Sequence, residues 1–125
     1  MSDATTTVAD LRALLAEFVA QRDWHVYHDA KNLAMSIAIE AAELMEHFQW
    51  VRNDELSVVL KNPENRAEIV EELADIACYL LSLANALDID VSAAVAAKVA
   101  KNARKYPAEQ FRGRYFKPDR PDECR

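Results

Sequence analysis

Two stretches of the chain set carboxylates into otherwise apolar helical patterns. IEAAELMEHFQW, from Ile39 to Trp50, carries Glu40, Glu43 and Glu46, and EELADIACYLL, from Glu71 to Leu81, carries Glu72 and Asp75. At about 100° per residue, Glu40, Glu43, His47 and Trp50 share roughly a quarter-turn sector of one helix. Glu72, Asp75 and Tyr79 share a similar sector of another. Antiparallel pairing of the two helices would bring four carboxylates to one spot. Left alone, they would repel and raise one another's pKa. A hard divalent cation removes that penalty, and all-oxygen ligands suit Mg²⁺, with Mn²⁺ as a substitute. Any single helical glutamate is more simply explained as solvated. Two such motifs on two helices, each beside an aromatic, point instead to a shared metal site.

Competing chemistries lack their residues. Di-iron bundles need Glu-x-x-His pairs from two helices, whereas His47 follows Glu43 by four positions and Glu46 by one. Zinc-hydrolase spacing of the H-E-x-x-H type is absent. The single glycine, Gly113, excludes a P-loop, a G-x-G-x-x-G turn and a nucleophile elbow. Any phosphate binding must therefore work through cations rather than a glycine cradle.

The elements that would hold these groups are helical. Val8, Leu11, Leu14, Leu15, Phe18 and Val19 keep a 3.6-residue spacing and predict a helix from Val8 to about Arg22. RDWHVYHDAKN breaks that pattern with aromatics and histidines. Asp29 is suited to cap a second helix that ends near Trp50, with Leu33, Ile37, Ala41, Leu44 and Phe48 as its apolar stripe. VRNDELSVVLKN has room for a short helix or turn. Asn62 followed by Pro63 predicts the start of a third helix running to about Asp88, and Asp90 opens a fourth, VSAAVAAKVAKNARKY, stopped by Pro107. The fold expected is all-α, an antiparallel bundle of about four main helices in one domain over residues 1–110. A polar tail over 111–125 would order only against a neighbour.

Composition narrows the class further. The chain has 125 residues, 51% of them hydrophobic, and a formal net charge of −6. That is enough to build a core, and the acidic balance argues against a bare nucleic-acid backbone as partner. No run approaches the roughly eighteen apolar residues of a membrane span, and MSDATTTVADLRALL lacks the pattern of a signal peptide. Cys78 in an apolar helix and Cys124 in a polar tail do not make a disulfide framework. A reducing cytoplasm is expected.

RDWHVYHDAKNLAMSIAIEAAELMEHFQW, EELADIACYLLSLANALDID and KVAKNARKYP together resemble the MazG-like all-α nucleoside triphosphate pyrophosphohydrolases, most closely their dCTP pyrophosphatase branch. The resemblance spans about Leu11 to Pro107. It implies Mg²⁺ ligation by Glu40, Glu43, Glu72 and Asp75. It also implies cleavage of a dCTP-like triphosphate between its α and β phosphates, with Glu71 or Glu46 orienting or deprotonating the attacking water. Trp24, His28, Lys31 and Asn32 match the family's nucleoside-binding stretch, and Trp50 and Tyr79 match its aromatic positions. Lys98, Asn102, Arg104 and Tyr106 match positions that contact phosphate or shape the pocket rim. A homodimer or homotetramer is implied as well. The chain departs from its relatives at His47, where they carry an aliphatic residue, and at Ala42, where they carry glycine. His47 is then either a satisfied core histidine or a group beside the metals. Two alternatives stand beside this reading: a broad or modified-pyrimidine specificity, and a non-catalytic helical interaction module.

Overall fold

A computed structural model describes residues 1–114, all of them helical or in turns and loops. The helices are α1 (Val8–Ala20), α2 (Ala30–Gln49), α3 (Leu56–Lys61), α4 (Pro63–Ala86), α5 (Val91–Lys105) and α6 (Ala108–Phe111), with a 3₁₀ turn at Trp24–Tyr27. Two compact units are present, one covering Met1–Ile89 and the other beginning at Asp90. Most of the tail expected over 111–125, Cys124 included, lies outside the described residues. Among the described residues no single helix is long and apolar enough to cross a membrane.

Polar side chains start the long helices. Thr7 accepts from the Asp10 backbone N–H while Asp10 accepts from that of Thr7, at 3.1 and 2.8 Å, a reciprocal cap on α1. Asp29 caps α2 through Asn32 N at 2.9 Å, Asn62 caps α4 through Glu64 N at 2.9 Å, and Asp90 caps α5 through Ala93 N at 2.8 Å. Two ends fall short of the expected ones. The chain turns left-handed at Asp23 and Asp88, with φ of 53° and 52°, so α1 stops at Ala20 rather than Arg22 and α4 at Ala86 rather than Asp88. At the second of these ends, Ile89 N donates to Ala84 O at 2.9 Å and Asp88 N to Asn85 O at 3.3 Å. Aspartate here takes the left-handed position that glycine usually fills in such a C-terminal motif. The short α6 falls where only tail was expected, because four residues carry no readable period.

Helices α2 and α4 pack antiparallel. His47 near the end of α2 meets Glu68 near the start of α4, and Glu40 and Glu43 meet Glu72 further along. Helix α1 is tied to the far end of α4, where Arg12 Nε donates to Asn85 Oδ1 at 2.8 Å and Asn85 Nδ2 donates to Arg12 O at 2.9 Å. The expected stripes are only partly covered. Val19, Leu33 and Ala84 are buried, whereas Leu14, Ile39, Leu73 and Leu80 are exposed in the single chain.

Candidate functional site

Glu40 and Glu43 stand one turn apart on α2, and Glu72 faces them from α4. Ligand oxygens of the three lie within 4.8 Å of one another. Burial, followed by the charges of Glu43, Asp75 and Glu72, holds the Glu40 carboxyl above the ordinary glutamate range. Asp75 thus acts on the group through its field, from one turn further along α4, without joining the close trio. The donor set fits a hard cation: ligand oxygens at about 2.0–2.1 Å from a central ion are at most about 4.2 Å apart, so small side-chain rotations would close the group. Glu71 and Glu46 are both exposed neighbours outside the trio.

The remaining α2 and α4 candidates separate. His47 is half-buried with Nδ1 3.8 Å from Glu68, so it faces α4 and a carboxylate rather than an apolar core. Trp50, at the C-cap of α2, is 85% exposed. Tyr79 is half-buried. It stands in an i, i+4, i+7, i+11 stripe with Asp75, Ser82 and Ala86, which leads along α4 to a second feature.

That feature is a cleft of about 200 Å³ in the first unit. Leu15, Ala16 and Val19 of α1 form one wall, and Ser82, Asn85 and Ala86 of α4 form another, with His25 and His28 at the 3₁₀ turn. His28 Nδ1–H donates to the Trp24 carbonyl at 3.0 Å, which leaves Nε2 of the neutral ring as an acceptor. The Trp24 ring runs nearly parallel to that of His28, with centroids 6.4 Å apart and planes at 18°, and meets the Phe18 ring edge-on at 5.9 Å. Phe18 is half-exposed beneath the Arg22 guanidinium, 3.6 Å from its centroid, so it is not a core residue. Seven residues separate Asp75 from Ser82, roughly 10 Å along the helix axis. Asp75 and the cleft therefore lie on one face of α4, and Glu72 of the trio stands roughly 15 Å before Ser82 along the axis.

The aromatic stretch divides along similar lines. His28 lines the cleft and Trp24 backs it. Asn32 commits its amide to the loop, donating to Asp29 Oδ2 at 3.0 Å and Tyr27 O at 3.4 Å, while Lys31 is exposed. Sequence reasoning missed Arg12, His25, Ser82 and Asn85. The available signal was Ser82 and Asn85 themselves, two polar side chains three apart in an apolar run, prolonging the face of Asp75 and Tyr79. In the second unit Lys98, Asn102 and Arg104 are exposed on α5. Tyr106 meets the Phe111 ring edge-on at 5.3 Å, with Lys105 Nζ 5.1 Å from its centroid.

Fold and site together define an all-α domain in which two antiparallel helices present a carboxylate group, with a mostly apolar cleft further along one of them. The MazG-like family model matches residues 35–115, and the chain belongs to that family. It is 41% identical to the dCTP pyrophosphatase 1 of Bos taurus over 107 residues, covering 86% of this chain and 63% of that protein. It is likewise 41% identical to the Homo sapiens dCTP pyrophosphatase 1 over 106 residues, covering 85% and 62%. The chain thus spans less than two thirds of the length of these curated relatives. A crystal structure of a pyrophosphatase from Archaeoglobus fulgidus DSM 4304 superimposes with a TM-score of 0.76 at 44% identity, covering 86% of this chain and 98% of that one.

Proposed function

We propose that the chain is a divalent-metal-dependent nucleoside triphosphate pyrophosphohydrolase acting on dCTP-like nucleotides and releasing the monophosphate and pyrophosphate. The observation that carries this reading is the shared face of α4, with Asp75 beside the Glu40–Glu43–Glu72 trio, and the cleft roughly 10 Å beyond Asp75 and roughly 15 Å beyond Glu72 along the axis. The names of the relatives supply the substrate class. Glu40, Glu43, Glu72 and Asp75 would hold Mg²⁺, with Mn²⁺ as a substitute. Such an ion neutralises triphosphate charge and makes water a better nucleophile toward the α phosphorus. Glu71 and Glu46 are both exposed at the edge of the trio and either can orient that water. His28 offers an acceptor to the base from the cleft wall, and the Trp24 carbonyl fixes the ring by accepting the Nδ1–H hydrogen bond. Lys98, Asn102 and Arg104 present cationic and amide groups of the kind that bind phosphate oxygens.

Assembly and setting belong to the same proposal. Met35, Ile39, Val70 and Leu73 are each more than half exposed. Apolar area this extensive on a small chain favours a homodimer, or a homotetramer of two dimers. A free thiol at Cys78 suits the reducing cytoplasm. The test is pyrophosphate release from a nucleotide panel, with Mg²⁺ or with EDTA. Mg²⁺-dependent release ranked with dCTP first is expected. Equal kcat/KM for dCTP, dATP and dGTP would replace this with the broad-specificity reading, and no release from any nucleotide would leave a helical interaction module.

A further inference from the structure

The α4 wall of the cleft carries two polar side chains, Ser82 and Asn85. Ser82 is buried to 9% exposure and lines the cleft. Asn85 lines the same wall one turn on, half-buried, with its carboxamide gripped at both ends by Arg12. Arg12 adds a third contact, NH2 to Ala84 O at 3.4 Å.

That grip has a consequence for recognition. An asparagine carboxamide carries two donors and two acceptor lone pairs, and Arg12 takes one of each. One donor and one acceptor remain. A free carboxamide could rotate by a half-turn and exchange them. Here rotation would set Nδ2–H against Arg12 Nε–H and Oδ1 against the Arg12 carbonyl, two repulsive pairs in place of two hydrogen bonds. The order of donor and acceptor at the cleft wall is therefore fixed.

We infer that Asn85, locked in one orientation by Arg12, selects 4-aminopyrimidine over 4-oxopyrimidine bases in this cleft. Cytosine presents an amino donor beside a ring-nitrogen acceptor, and uracil presents the reverse. With the phosphates held at one end of α4, the ring cannot turn over to compensate. Asn85 Oδ1 accepts from the exocyclic amino group and Nδ2 donates to the ring nitrogen. Ser82, which can donate or accept, adds affinity for either base and no choice between them. Arg12 is a positioning residue, acting only through Asn85. The inference rests on the pyrophosphohydrolase reading for the direction in which the nucleotide lies.

The experiment compares equilibrium binding of dCMP and dUMP, in Mg²⁺, to the unmodified protein, Arg12→Ala and Asn85→Asp. These monophosphates need no turnover to bind. The unmodified protein should bind dCMP at least about tenfold more tightly, since the mismatched base leaves a buried donor and acceptor unpaired. Arg12→Ala frees the carboxamide to turn, so dUMP should bind more tightly than before while the preference falls toward one. Structural damage alone would weaken both ligands. Asn85→Asp keeps an acceptor for Arg12 Nε and removes the donor, so dCMP should weaken roughly tenfold; this variant serves if Arg12→Ala does not fold. Equal binding of the two by the unmodified protein, or an unchanged preference in both variants, would overturn the inference. Pyrophosphate release from dCTP by the same proteins separates the two readings. Turnover with an unchanged preference removes Asn85 as the selector and leaves the enzyme, whereas a preference that shifts as expected without turnover removes the enzyme and leaves the selector.

Discussion

Glu43→Gln removes one of three negative charges whose oxygens lie within 4.8 Å of one another. At that separation and a water-like dielectric constant, each like-charged pair repels by about 0.9 kcal/mol. Glu43 has two such neighbours, so the metal-free variant should gain about 1–2 kcal/mol, with screening setting the lower end. For a chain of this length that is a rise in Tm of roughly 3–8 °C. Mg²⁺ should reverse the order. Ion at a hundredfold excess over its dissociation constant stabilises the unmodified protein by about 2.7 kcal/mol, and the variant, short of one ligand, should respond much less. The assay is thermal unfolding at one protein concentration and low ionic strength, in EDTA and in saturating Mg²⁺, with EDTA scans repeated in 1 M salt to shrink the difference. A variant that is less stable in EDTA, or that responds to Mg²⁺ as fully as the unmodified protein, would refute the reasoning.

Glu40 should make metal-free stability depend on pH. Its folded pKa is raised, so the folded state binds the extra proton, and stability is greatest below the ordinary value of 4.5 and falls as pH climbs through the folded one. The Tm advantage of Glu40→Gln in EDTA should therefore grow across that window and then level off; an advantage that shrinks with rising pH would contradict the assignment. Leu33, 2% exposed, is the most deeply buried large side chain, and Leu33→Ala should cost about 2–5 kcal/mol in denaturant unfolding. A loss below about 1 kcal/mol would contradict its place in the core. Light scattering at micromolar concentration should give a dimer or tetramer, and a stable, active monomer would contradict the reading of the exposed stripes.

The helices were legible because each start carries its own chemistry: Asp29, Asn62 with Pro63, and Asp90 cap where expected. Their ends were less so, since a left-handed Asp23 or Asp88 has no sequence signature as plain as glycine. Spacing led to four converging carboxylates, since i, i+3 pairs on two paired helices share a face, and three of them, Glu40, Glu43 and Glu72, form the close group while Asp75 stands outside it. Ser82 and Asn85 were harder to see. Their value depends on α1 crossing the end of α4, and the Arg12 contacts join residues 73 apart in the chain. Helical phase places Trp50 on the face of the acids, and at the C-cap of α2 its side chain stands 85% exposed.

Hydrolysis of dCTP in ¹⁸O-labelled water, with Mg²⁺, tests the central claim most directly. Attack at the α phosphorus should yield pyrophosphate without label and dCMP carrying one ¹⁸O, with Glu43→Gln forming neither product at a measurable rate. Label in the pyrophosphate, release of orthophosphate with dCDP, or full activity in Glu43→Gln would contradict it.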